Sequence, residues 1–126
     1  MALGTRWLNW QRSLSMYEKR KKVLNELLEG RELTGIEIGA LDKPLVVRSE
    51  LFANQEILYA DHLSTQELRA KYKADKSVDL DALVDVDLVS PSADFSTTLG
   101  GRSVDYIVAS HVVEHVPNPI HWFQML

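Results

Sequence analysis

The spacing of apolar and polar residues changes near residue 30. Between residues 7 and 29 apolar side chains recur at helical spacing, which predicts an N-terminal helix that ends at Gly30. Beyond this point the apolar residues come in short runs bounded by polar or glycine residues, which is typical of buried strands. The expected strands are residues 34–39, 56–61, 82–86 and 104–110.

Helices are expected between these strands. Ser64 and Glu67 have the spacing of a capping box, and Asn118 with Pro119 has the character of a cap and first-turn residue. Strands that alternate with helices indicate an α/β fold with a mostly parallel sheet. We divide the chain into an N-terminal helical segment, residues 1–30, and an α/β domain, residues 31–126.

Composition and charge narrow the function classes. The formal net charge is -4, which argues against nucleic-acid binding, and the absence of cysteine excludes disulfides and zinc–thiolate sites. No apolar run approaches the length of a membrane span, and the first residues do not have the pattern of a signal peptide. We therefore expect a cytoplasmic protein without membrane contact.

Candidate binding residues follow the first three strands. Ligands of an open parallel sheet bind beyond the carboxyl ends of its strands, and Gly39 at the end of the first strand permits a close approach. Asp61 ends the second strand about 20 residues later, where a carboxylate holds the ribose of a nucleotide. Asp85 or Asp87 near the third strand could accept a hydrogen bond from an adenine amino group, and the sequence leaves this choice open.

Four segments resemble the first four motifs of the class I S-adenosylmethionine-dependent methyltransferases. In chain order they are GIEIGALDKPL, ILYADHLS, ALVDVD and VDYIVASHVVEHVPNP. The resemblance covers residues 34–123 and implies a Rossmann-like three-layer sandwich with four strands in the order 3-2-1-4. It also implies methyl transfer from S-adenosylmethionine to a small molecule. One departure is that Leu41 and Lys43 stand where the family often has glycines.

The resemblance assigns residues to parts of the cofactor. Glu37 and Gly39, with Ala40 beside them, belong at the methionine end, Asp61 and His62 at the ribose, Asp85 at the adenine, and Ser110 and His111 beside the sulfonium. A histidine there could remove a proton from a hydroxyl or amine acceptor, so His111 is the candidate catalytic residue. The alternative is that its ring only packs or binds backbone.

The sequence HVVEH has the H-x-x-E-H spacing of a zinc-protease signature. A zinc site of this type needs both histidines on one continuous helix and a third ligand. Here a strand runs directly into His111, and Pro117 and Pro119 follow His115 closely, so such a helix has almost no length. We expect no metal.

The charged run in the N-terminal helix and the last strand of the sheet lead to two further expectations. The charged run from Glu18 to Lys22 is interpreted as a solvated helix face with these two residues paired. A full domain of the methyltransferases has more strands, so the edge strand 104–110 would lack a neighbour. We therefore expect either a piece of a longer protein or a homo-oligomer formed through this edge.

The alternative function is a non-catalytic or truncated module that binds the cofactor or a partner.

Overall fold

A computed structural model describes residues 15–92, 94–110 and 118–126 of the chain. Four parallel strands form one sheet in the order β3-β2-β1-β4. They are β1 (Thr34–Ile38), β2 (Glu56–Asp61), β3 (Leu88–Val89) and β4 (Tyr106–Val108). The helices are α1 (Met16–Leu28), α2 (Thr65–Lys71), α3 (Phe95–Leu99) and α4 (Pro119–Met125), with 3-10 turns at Arg48–Glu50 and Leu80–Ala82. The α/β, incomplete Rossmann-like fold expected from the sequence is confirmed.

Polar side chains define where the helices begin. Ser64 and Glu67 form the expected capping box at α2, and Asn118 Oδ1 accepts the His121 N–H in the first turn of α4. A second capping box opens α1, where the Glu18 carboxylate accepts the Ser15 N–H at 3.0 Å. Glu18 is therefore used as a cap, and the expected pair with Lys22 is not formed.

The two faces of the sheet are covered by different helices. Alternate strand residues point to opposite faces, so Ile36 and Ile57, both only 1% exposed, belong to different clusters. Ile36 packs with α3 and α4 through Phe95 and Trp122. Ile57 packs with Leu28 of α1. Helix α1 thus shares its core with the sheet, and the boundary at residue 30 stays a prediction.

The third strand was expected at residues 82–86, and this expectation is wrong. Within that run the Val84 N–H donates to Leu41 O and the Val86 N–H donates to Thr65 Oγ1, so neither pairs with the sheet. Pairing with β2 starts only at Asp87, whose N–H donates to Tyr59 O. The apolar character of this run reflects packing next to the loop after β1, since Val84 packs against the core cluster that contains Leu45 and Val46.

Strand β4 lies at one edge of the sheet. It pairs with β1 through Tyr106, Ile107 and Val108. Among the described residues no other strand lies beside it. Association of two copies through this edge stays a prediction.

Gly35 in β1 lies opposite Tyr106 of β4. A Cβ atom built on Gly35 would overlap the Tyr106 ring, so the close packing of the two strands requires glycine here. We expect Gly35→Ala to lower the free energy of unfolding by about 1–3 kcal/mol, the usual cost of overpacking. In a Tyr106→Ala background the same change should cost much less, because the ring is gone. Urea unfolding of the four variants measures the coupling, and an equal cost in both backgrounds would contradict the overlap.

Candidate functional site

Three of the residues singled out in the sequence lie at one edge of the sheet. Gly39 directly follows β1 and its N–H donates to Ala60 O at 2.9 Å, which keeps it beside β2. Asp61 is the last residue of β2, and Ser110 lies two residues beyond β4. Because the strands are parallel, these positions share the carboxyl edge of the sheet, which we call the rim. The rim is the place where open α/β sheets bind ligands.

Glu37 holds the loop that leaves β1. Glu37 is only 3% exposed, and its carboxylate accepts two backbone N–H groups, from Leu45 at 2.7 Å and from Val46 at 3.0 Å. Burial raises the pKa of the Glu37 carboxyl above 4.5, and the two hydrogen bonds oppose this rise. Both carboxylate oxygens are occupied by the chain itself. Residues 39–47 are called the β1 loop. Glu37 therefore fixes the backbone of this loop near its far end.

Two tyrosines fix the far end of the β1 loop. Tyr17 of α1 donates its hydroxyl to Pro44 O at 2.8 Å. Tyr59 of β2 donates to Val46 O at 2.7 Å and accepts the Arg48 N–H at 3.1 Å. Burial is the main cause that raises the pKa of Tyr59 above its ordinary value. Helix α1 and strands β1 and β2 thus all hold the same loop.

The start of the β1 loop has a left-handed backbone. Gly39 has a φ of 69°, and Leu41, at a position where the methyltransferases that the sequence resembles often have a glycine, has a φ of 53°. Such a conformation is strained for leucine. The loop is braced here by the segment before β3, since Leu41 O accepts the Val84 N–H and Asp42 Oδ2 accepts the Asp79 N–H, each at 2.9 Å. The backbone at Leu41 thus has the conformation that glycine adopts readily.

Asp61 presents a buried carboxylate at the rim. The residue is 6% exposed, and its Oδ1 accepts the His62 N–H and lies 2.7 Å from His62 Nδ1. The Leu63 N–H approaches the same oxygen at 3.4 Å. Within the described ranges no group donates to Oδ2, and no lysine or arginine pairs with this carboxylate. Oδ2 is the oxygen that remains to accept a hydrogen bond from a ligand.

The two candidate acids for adenine are not at the end of β3. The Asp87 carboxylate accepts the Tyr59 N–H at 2.9 Å and pairs with Arg48, so it links β2 to the 3-10 turn that follows the β1 loop. Asp85 lies before β3 and is exposed, because the strand begins later than expected. Ser90 takes the position at the carboxyl end of β3, where it is buried and its N–H donates to Asp61 O at 2.9 Å. The sequence offered no signal for Ser90, which begins a stretch rich in serine, threonine and glycine.

Helix α1 also reaches the rim. Arg20 Nη1 donates to Ser110 Oγ at 3.4 Å, although the charged run was interpreted as a solvated face. The two residues are 90 positions apart, so no local pattern could have predicted this contact. The remaining candidates beyond Ser110 are His111, Glu114 and His115, and all three lie outside the described residues.

A metal site, a membrane span or similarity to known proteins would also indicate a function. In the described part of the chain, no three histidine or acidic side chains lie close enough to hold a metal, while the H-x-x-E-H motif falls outside it. No described helix is long and apolar enough to cross a bilayer, and the expected cytoplasmic location stays a prediction. The chain matches no protein-family model, no curated protein and no solved structure.

The buried Glu37 carboxyl predicts a pH dependence of stability. Because its pKa is raised above 4.5, the folded chain holds this proton more tightly than the unfolded chain. Its contribution to the free energy of unfolding is therefore fully present below the unfolded-state pKa and is lost as pH rises through the folded-state pKa. Glu37→Gln cannot titrate, so we expect the difference, wild type minus variant, to fall as pH rises.

Urea unfolding at a series of pH values between about 4 and 8 measures this difference. Glu32→Gln, at an exposed position before β1, is the matched control and should follow the wild type. A difference that stays constant or rises with pH would show that Glu37 does not carry this dependence.

The left-handed conformation of Leu41 predicts an unusual order of variant stability. Valine is β-branched and fits a positive φ poorly, whereas glycine fits it without strain. We expect Leu41→Gly to be more stable than Leu41→Val by about 1 kcal/mol. The half-buried Leu33, whose φ is not positive, should show the opposite order with the same two substitutions. Thermal or urea unfolding measures the stability of the four variants. A Leu41→Val variant that is more stable than Leu41→Gly would contradict the left-handed backbone at this position.

Proposed function

We propose that this chain binds S-adenosylmethionine across the rim and transfers its methyl group to a small molecule. The observation that supports this most is the convergence of Gly39, Asp61 and Ser110 at the carboxyl ends of β1, β2 and β4. These are the positions at which the resemblance to the methyltransferases expects the methionine end, the ribose and the sulfonium.

The described side chains suit the charge and shape of this cofactor. S-adenosylmethionine carries a sulfonium and an ammonium, so the Asp61 carboxylate, which pairs with no lysine or arginine among the described residues, is favourable to it. Asp61 Oδ2 can accept a ribose hydroxyl while Oδ1 stays bound to His62. Ala40 and His62 lie beside Gly39 and Asp61 and would line the same ligand. Asp87 binds both the Tyr59 N–H and Arg48 through Oδ2, and its Oδ1 is the oxygen that an adenine amino group could reach.

Glu37 has an indirect part in this proposal. Its two oxygens already accept the Leu45 and Val46 N–H groups, so it fixes the β1 loop rather than touching the ligand. The loop in turn carries Gly39 and Leu41, whose left-handed backbone turns the chain away at the end of β1. Glu37 is therefore a positioning residue.

Methyl transfer depends on holding donor and acceptor in line. S-adenosylmethionine supplies an electrophilic methyl group on a positively charged sulfur. In the proposal, Gly39 and Asp61 orient this donor at the rim, and His111 takes a proton from the acceptor. The role of His111 rests on the sequence alone, because this residue lies outside the described ranges.

The second candidate function is a module that binds the cofactor, or only a partner protein, without turnover. The observation that favours it is the edge position of β4, which has β1 as its single neighbour among the described strands. Unpaired strand edges recruit other chains. Formation of the demethylated cofactor separates the two functions, because a binding module does not produce it.

Calorimetry with S-adenosylmethionine and with its demethylated product tests the binding proposal. We expect both to bind, and Asp61→Asn to weaken binding by roughly tenfold or more, because a charge-assisted hydrogen bond to the ribose is lost. Glu32→Gln removes the same charge at an exposed position before β1 and should leave the affinity unchanged.

Two results would contradict this proposal. Unchanged affinity in Asp61→Asn would remove Asp61 from the ribose. Absence of heat at millimolar ligand, with protein shown to be folded by circular dichroism, would leave only the partner-binding function.

A further inference from the structure

An open depression of about 490 Å³ lies between α1 and the edge strand β4. Its size falls within the range of small-molecule sites, about 300–1,000 Å³. The apolar part of its lining comes from three elements and includes Leu24, Leu45 and Val108. Its polar groups are Lys19, Arg20 and Ser110. A ligand here would meet an apolar surface together with two cationic side chains.

Acidic and basic side chains of α1 are distributed unequally between the two sides of the helix. No acidic residue lines the depression among those described, although the chain as a whole has a net charge of -4. The acids Glu18, Glu26 and Glu29 line a different cavity, together with Lys21 and Lys22. There Lys21 pairs with Glu50 at 3.0 Å. Among the described residues, the charged groups that line the depression are thus the cations Lys19 and Arg20, which favours an anionic ligand.

The depression and the rim share Ser110. Its hydroxyl accepts from Arg20 Nη1 at 3.4 Å, and Arg20 has further interactions beyond this one. Leu45, on the other side, donates its N–H to Glu37 at 2.7 Å, so the position of this wall is fixed by the same carboxylate that holds the β1 loop. A ligand in the depression would therefore lie next to the carboxyl end of β4.

We propose that this depression binds a small amphipathic anion, in which a carboxylate or phosphate is joined to an apolar body. The positive charges of Lys19 and Arg20 attract either oxyanion. If the proposed function holds, this molecule is the methyl acceptor, because the resemblance places the sulfonium beside Ser110. The assignment of the ligand as acceptor rests on that function, whereas the binding of the anion does not.

A set of matched probes tests the ligand class. Phenylbutyrate, phenylpropyl phosphate and phenylpropanol have similar apolar bodies and differ in the head group. We expect at least one of the two anions to bind more tightly than the alcohol in calorimetry, and the tighter anion identifies the oxyanion. Equal affinity for the alcohol and both anions, or no binding of any probe, would overturn the proposal.

Charge variants on α1 test the location. We expect Arg20→Ala and Lys19→Ala each to weaken binding of the tighter anion by roughly threefold to fivefold, the effect of a partly exposed ion pair. Lys22→Ala removes the same charge from the other side of α1 and should leave the affinity unchanged. Circular dichroism checks that each variant is folded. If Arg20→Ala does not fold, the exposed Lys19→Ala carries the test, and an unchanged affinity there would overturn the location.

The two proposals fail separately. Binding of the anion without binding of the demethylated cofactor would leave the depression as an anion site and contradict the methyltransferase function. Binding of the cofactor without binding of any anion would contradict only the inference drawn from the depression.

Discussion

The arrangement of the rim depends on one buried carboxylate that holds two backbone N–H groups. Glu37 lies inside β1, and its hydrogen bonds to Leu45 and Val46 bring the far end of the β1 loop back onto the sheet. A carboxylate removed from water is costly unless such donors satisfy it, so the loop and the buried acid depend on each other. Tyr17 and Tyr59 fix the same loop from α1 and β2. Gly39 is thereby kept at the edge where Asp61 and Ser110 also lie.

Features with local signals were predictable from the sequence. Strands β1 and β2 come from short apolar runs, and the starts of α2 and α4 come from capping residues, and all of these were confirmed. The sheet order came from the resemblance to the methyltransferases and not from the pattern. Glu37 was expected at the methionine end of the cofactor, and its bonds to Leu45 and Val46 were not predictable, since a strand acid can face solvent, a ligand or backbone with equal sequence support.

Features set by long-range packing were not predictable. The run of residues 82–86 is short and apolar like a buried strand, yet its backbone binds Leu41 and Thr65. Strand β3 therefore begins later than expected, and Asp85 lies before it. The contact of Arg20 with Ser110 joins the helix before the sheet to the end of its last strand. Sequence spacing carries no information on contacts between residues so far apart. The placement of Lys19 and Arg20 of α1 beside β4 is therefore known only from the structure.

The backbone at Leu41 bears on the resemblance to the methyltransferases, which often have a glycine at the corresponding position. Leu41 has a positive φ, so the course of this loop does not require a glycine there. Strain of this kind persists where the surrounding structure fixes the backbone, and it is frequent at ligand sites. At Leu41 the backbone is held by the Val84 N–H, which donates to Leu41 O. Val84 lies in the segment that was wrongly expected to be a strand.

The proposed function requires that the adenosyl cofactor bind at the carboxyl edge of β1, β2 and β4. Titration of isotope-labelled protein with the demethylated cofactor, followed through the amide resonances in NMR, tests this requirement. We expect large shifts at Gly39, His62 and Ser110, and little change at Thr34 and Asp105, which lie at the opposite edge of the sheet. Unmoved resonances at the rim under saturating ligand, or shifts confined to the opposite edge, would contradict it.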